Sequence, residues 1–178
     1  MENFKFLMPG QVFFGKDCIK ENKSVFGKCG KRAYVITYKL PGRHYALEDV
    51  QSVLDELGVN YFVETEIEEN PCVETIVRAA KVGLEKGADF LIAIGGGAPI
   101  DASKAIGVMM KNPDMEPYDL FKNEELESLP IIAIPTTAGT GAEVAHWSVI
   151  TRFDTQTKQA IKPWVFPRYA FLDPTYLM

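Results

Sequence analysis

Short apolar runs alternate along most of the chain with longer stretches in which apolar residues return every three or four positions. Ala33 to Thr37 and Phe90 to Ile94 are apolar almost without interruption, the mark of strands buried on both faces. Between them, Leu47, Val50, Leu54 and Leu57 share one helical face that stops at Gly58, and Tyr61 to Thr65 reads as the next strand. Val73, Ile76, Val77, Ala80 and Leu84 mark a second helix, opened by the turn Glu69-Asn70-Pro71 and closed near Gly87. A third helix is predicted from Pro99 to Lys111, and another strand within Pro130 to Pro135. Such β-α-β alternation, with right-handed crossovers, predicts a parallel sheet covered on both faces.

The two ends depart from this rhythm. Phe4 to Met8 and Gln11 to Phe14, joined by Pro9-Gly10, suggest an N-terminal β-hairpin, and a short helix is predicted from Asp17 to Phe26. Beyond Ala145, HWSVIT, a polar turn at RFDTQT, and apolar stretches around Ile161 and from Trp164 to Leu172 predict antiparallel strands that complete the domain. The expected fold class is therefore α/β: a Rossmann-like parallel sheet, plus an N-terminal hairpin and a short antiparallel segment near the C-terminus. One domain is expected over residues 1–178.

Composition narrows the function. With 47% hydrophobic and 24% charged residues the chain reads as a soluble globular protein, and no apolar run approaches the roughly 20 residues a membrane span requires. The first residues carry neither the basic nor the apolar region of a secretory signal, so the cytoplasm is the expected location. Cys18, Cys29 and Cys72 show no zinc-type spacing and form no even set for disulfides. A net charge of -5 without a basic cluster disfavours nucleic acid as a partner.

Two glycine-rich segments follow predicted strands, where a parallel sheet places its ligand crevice. Gly95-Gly96-Gly97-Ala98-Pro99 leads into a helix, so its backbone can approach an anionic pyrophosphate while helix N–H groups point at it. A tight turn without a ligand explains the same glycines. Thr136-Thr137-Ala138-Gly139-Thr140-Gly141 offers hydroxyls to phosphate or ribose oxygens, or is simply a threonine-rich turn. No Lys follows in the GK[ST] arrangement, which disfavours a P-loop. Asp101 either completes the first turn of its helix or accepts hydrogen bonds from a neutral donor; a pyrophosphate would repel it.

At this point the residues match a family. IGGGAPIDASKA at 94–105 and IPTTAGTGAEV at 134–144 resemble, in order and separation, the GGGSxxDxxKA and PTTAGTGSEV segments of iron-containing (group III) alcohol dehydrogenases. Asn70-Pro71, the opening FxxPxxVFFG pattern and the closing FPRYAFLDP also fit, and the likeness leans toward butanol and 1,3-propanediol dehydrogenase members. The resemblance implies cofactor contacts at Gly95, Gly96, Gly97, Ala98, Asp101, Thr136, Thr137 and Thr140, with Lys158 as a looser match. Ala98 and Ala142 stand where the pattern has Ser, and Ala145 where it has Thr, so weaker binding than the family norm is expected.

The residue after the first buried strand helps such enzymes choose their cofactor, an acid there disfavouring a 2′-phosphate. Here it is Tyr38, followed by Lys39 and Arg43, which favours NADP(H) over NAD(H) unless those cations are ordinary solvated loop charges. The family's metal-binding helix lies beyond the DPxL segment. Its Fe²⁺ or Zn²⁺ is expected only in the complete enzyme, because His44 and His146 are isolated. For His146 a structural role is the commoner explanation.

Two classes of function remain open. The first is the cofactor-binding part of an alcohol dehydrogenase, inactive by itself and pairing with a second copy through its N-terminal strands. The second is a non-catalytic nucleotide-binding or assembly module. Polyol and sugar-phosphate dehydrogenase relatives would share the same first domain.

Overall fold

The apolar runs become strands where they can be covered on both sides. A computed structural model of the chain describes residues 7–39 and 45–177. Its strands are β1 (Gln11–Phe14), β2 (Arg32–Ile36), β3 (Asn60–Glu64), β4 (Phe90–Gly95), β5 (Ile131–Pro135), β6 (Val149–Arg152), β7 (Thr157–Ala160) and β8 (Tyr169–Leu172). Its α-helices are α1 (Cys18–Glu21), α2 (Tyr45–Leu57), α3 (Val73–Glu85) and α4 (Gly97–Lys111). Six strands form one sheet in the order β1-β8-β5-β4-β2-β3, each neighbouring pair parallel. The remaining two, β6 and β7, make a small antiparallel hairpin.

Alternation along the central strands divides the core. Phe90, Ile92 and Ile94 of β4 join Ala33 and Val35 of β2 against Val50, Val53 and Leu54 of α2. Leu91, Tyr34 and Ile36 face the other way, onto Ile76 and Ala80 of α3 and Ile106 and Met110 of α4. Each such side chain contributes roughly 1.5–3 kcal/mol by leaving water, so the sheet is held from both sides. Helix α4 is buried nearly all round, from Pro99 and Ile100 through Met110 apart from the half-buried Asp101. Helix α2 stops where Gly58 takes a φ of +64°, with Val59 N–H donating to the Leu54 carbonyl at 2.9 Å.

Four expectations change. Asp17 to Phe26 is not one helix: α1 ends at Glu21 and a 3-10 segment follows over Lys23–Lys28. Asn22 separates them, its side-chain amide donating to the Cys18 carbonyl at 2.9 Å and so ending the α-helical ladder. The third long helix begins at Gly97, which puts Pro99 third rather than first, still among positions whose N–H has no partner inside the helix. The stretch from Trp164 to Leu172 is not antiparallel; its strand, β8, enters the main sheet parallel between β5 and β1. Of the proposed N-terminal hairpin, Gln11 to Phe14 is β1, parallel to β8, whereas Phe4 to Phe6 lie outside the described residues.

Candidate functional site

Strands β2 and β4 are neighbours, but the chain leaves β2 toward β3 on one side and leaves β4 toward β5 on the other. Their carboxyl ends therefore diverge, which is where an open parallel sheet forms a ligand crevice. A cleft of about 630 Å³ lies there. Tyr38 and Lys39 line it from the end of β2, Thr65, Ile67, Glu68 and Glu69 from beyond β3, Gly96 to Pro99 from the start of α4, and Thr137 and Thr140 from beyond β5.

The first glycine turn is tightly determined. Gly95 has a φ of +143°, and a Cβ on it would lie 2.6 Å from Tyr38 Cε1 and 2.7 Å from Pro99 Cγ. Only glycine fits. A Cβ on Gly96 would lie 3.3 Å from Thr137 Oγ1, and one on Gly97 would lie 3.2 Å from Thr140 Cγ2, so the two glycine-rich segments face each other with little room for a side chain at either glycine. Gly96 caps α4 without a side-chain hydrogen bond, and the positive end of a 15-residue helix therefore opens toward the space.

Other residues brace the walls. Tyr38 and Thr136 share a hydroxyl hydrogen bond of 3.2 Å, and Thr136 N–H donates to the Gly95 carbonyl at 3.0 Å. Asp101 does not line the cleft; its Oδ2 accepts Val149 N–H at 3.0 Å, and burial raises its pKa. Lys158 on β7 donates to Asn70 Oδ1 at 2.6 Å, beside Glu69 at the rim. Lys39 is exposed, and Arg43 and His44 lie outside the described residues. The structure thus brings Tyr38, Lys39, Gly96, Gly97, Ala98, Thr137 and Thr140 to one cleft, with Gly95, Asp101, Thr136 and Lys158 behind or beside it.

Two features were missed from sequence. Glu68 and Glu69 stand at the same mouth as Lys39. Burial acts to raise the Glu68 pKa, but hydrogen bonds from its own backbone, Thr75 and Cys72 outweigh it and lower the value, so this carboxylate stays charged. The second feature is Lys104, 0% exposed within α4 and held by three backbone carbonyls. Its signal was a lone Lys in the otherwise apolar run from Ala102 to Met110, broken besides only by Ser103 and Gly107.

His146 packs as an aromatic ring. It stacks on Trp164 with centroids 4.6 Å apart and tilts against Trp147 at 4.4 Å, while burial and the Lys104 charge lower its pKa. Among the described residues no group of three or more His, Cys, Asp or Glu side chains is arranged to hold a metal. Asp173 has both carboxylate oxygens engaged: Oδ2 accepts Asp17 N–H at 2.6 Å, and Oδ1 accepts from Thr175 N–H and hydroxyl at 2.9 and 2.7 Å. The described residues therefore do not fit an iron site. No described helix is long and apolar enough to cross a membrane.

Fold and cleft together define a parallel α/β protein with a glycine-rich, helix-capped crevice at its topological switch point. Residues 9–174 match the family described as iron-containing alcohol dehydrogenase, and the chain belongs to it. Over 99% of its length it is 32% identical to the NADH-dependent butanol dehydrogenase B of Clostridium acetobutylicum, covering 46% of that protein. It is 31% identical over 95% of its length to the NADPH-dependent butanol dehydrogenase of Clostridium saccharobutylicum, covering 44% of it. An iron-containing alcohol dehydrogenase from Thermotoga maritima superposes with a TM-score of 0.92 at 37% identity, over 98% of this chain and 49% of that one. A 1,3-propanediol oxidoreductase gives 0.89 at 28% identity, over 99% and 47%. The chain spans about half the length of the curated relatives it matches.

Proposed function

We propose that the chain binds a nicotinamide dinucleotide in the cleft between its two glycine-rich segments, as the cofactor-binding domain of an alcohol or aldehyde oxidoreductase. The observation that carries this is that Gly96 and Gly97, which have no side chains, face Thr137 and Thr140 in one cleft headed by the N-terminus of α4. Uncapped N–H groups at Gly97 and Ala98 suit a pyrophosphate, and the two threonine hydroxyls can donate to its oxygens. Dependence on NADH or NADPH in the named relatives supports the same ligand class.

The finer preference is for NADP(H). It rests on Tyr38 and Lys39: no acid follows β2, and the Lys39 cation lines the mouth. Glu68 and Glu69 act against it, so the preference is modest. Within a complete enzyme the metal would polarise the alcohol oxygen, and hydride would pass to or from the nicotinamide. In this reading the described residues supply binding and orientation only. Added Fe²⁺ or Zn²⁺ should therefore produce no turnover of alcohols or aldehydes above background.

Titration monitored by NADPH fluorescence tests the reading. Saturable binding is expected, and Gly96→Val should weaken it at least about tenfold, because the new methyls occupy the pyrophosphate path and press on Thr137. Absence of binding at millimolar cofactor overturns the proposal.

A further inference from the structure

Lys104 is the one fully buried lysine side chain among the described residues, and each of its hydrogen bonds goes to the same stretch of backbone. Its Nζ donates to the carbonyls of Ala142 and Ala145 at 2.8 Å each and of Trp147 at 2.6 Å. Three donors meet three acceptors, which satisfies an ammonium completely. A buried charge is costly, and hydrophobic packing of α4 needs none. The contacts identify what the charge holds: residues 142–147 form no regular element, and Lys104 gathers their carbonyls at one point.

The link continues into the cleft. Ala142, whose carbonyl accepts from Lys104, also donates its N–H to Thr140 Oγ1 at 3.3 Å. Thr140 in turn stands against Gly97 at the start of the helix that carries Lys104. Helix α4 thus meets the second glycine-rich segment twice, once at its N-terminus and once nearly two turns later. Asp101 and Ser148 close the far side of the loop, through Val149 N–H to Asp101 Oδ2 and Ser148 hydroxyl to the Asp101 carbonyl.

We infer that Lys104 is a positioning residue for the cofactor site, holding the 142–147 backbone so that Thr140 faces the start of α4 across the cleft. The inference rests on the reading of the cleft as a dinucleotide site, but its effect on the loop does not require a cofactor. Lys104 is not among the residues that line the cleft, and its ammonium bonds to the carbonyls of Ala142, Ala145 and Trp147.

The test uses the full chain and the variants Lys104→Met and Lys104→Gln, with and without Thr140→Ala. Amide exchange in the free protein reads the loop directly, since Val144 and Ala145 N–H are both bonded to the Gly141 carbonyl. In Lys104→Met these amides should exchange at least about tenfold faster while those of β2 and β4 keep their protection, and Lys104→Gln, with two donors, should fall between. NADPH affinity should drop about tenfold in Lys104→Met, and the drop should shrink to less than about threefold when Thr140 is already Ala. A residue with a general structural role would give additive losses. Unchanged exchange at Val144 and Ala145, additive affinities, or failure of both Lys104 variants to fold would each overturn the inference. Loss of NADPH binding by the wild-type chain would instead overturn the cofactor reading, with the exchange experiment still deciding the role of Lys104.

Discussion

The two glycine-rich segments reach the same cleft by different means. The first, after β4, is fixed by close packing on its backbone: Gly95 sits between Tyr38, from beyond β2, and Pro99 with no room for a methyl group, and its chain passes straight into a 15-residue helix. The second, after β5, enters no regular structure until β6 and is held from a distance by Lys104 and Asp101. A ligand site can thus combine one wall set by its own backbone with another set by side chains of a different element. The first wall resists change at its glycines, whereas the second resists it at its anchors.

The largest effect should appear where the first wall is altered. Gly95→Val places a branched side chain where a Cβ already lies 2.6 Å from Tyr38 and where φ is +143°. A loss of roughly 2–4 kcal/mol is expected in urea denaturation. In the second wall Gly139 has open space around its Cβ position, and Gly139→Ala should change stability by no more than about 0.5 kcal/mol. Equal losses at the two glycines would break the contrast.

The anchor of the second wall should show itself through pH. Burial lowers the Lys104 pKa from 10.5 to about 8, with the nearby Asp101 and Glu143 charges opposing that fall. Between those values the unfolded chain holds a proton that the folded chain has released, so this residue adds stability as pH rises through the window. The urea midpoint of the wild type should rise between about pH 8 and about pH 10 relative to that of Lys104→Met. A parallel pH course in the two proteins would show that the three carbonyls offset the cost of burying the charge.

Smaller changes follow at the rim. Tyr38→Asp adds a carboxylate that repels a 2′-phosphate and accepts from ribose hydroxyls, so the ratio of NADP to NAD affinity should fall about tenfold. An unchanged ratio would assign selectivity to Glu68, Glu69 and Lys39 instead. At the opposite margin of the sheet, β1 is paired only with β8 among the described residues, and Phe14 is 76% exposed. Self-association along that edge is expected, and Phe14→Lys should shift light scattering toward monomer by a few-fold in dissociation constant. A wild type that stays monomeric at all concentrations would remove the edge from the account.

What could be read in advance follows the same division. Doubly buried strands such as Phe90 to Ile94 declare themselves by composition, and the turn after β4 by its glycines, because in both the residue types themselves carry the signal. The partner of β8 could not be read, since an apolar run is the same whether its strand pairs parallel or antiparallel. Gly97 and Ala98 escaped the helix prediction because the helix was placed to begin at Pro99, although the first turn tolerates proline at other positions. Glu68 at the mouth of the cleft could not be placed because it follows β3, and only the strand order brings that loop beside the end of β2. Lys104 was overlooked for a related reason: its partners lie about 40 residues away, and only its apolar surroundings hinted at burial.

The central claim is that the dinucleotide lies against the first wall and reaches the second. Backbone amide resonances of the chain, followed as NADPH is added to saturation, test this most directly. The account predicts the largest shifts at Gly96, Gly97 and Ala98, with accompanying shifts at Thr137 and Thr140. Shifts concentrated instead at Arg32 and Lys86, which line a separate hollow of about 300 Å³ at the other end of the sheet, would contradict it.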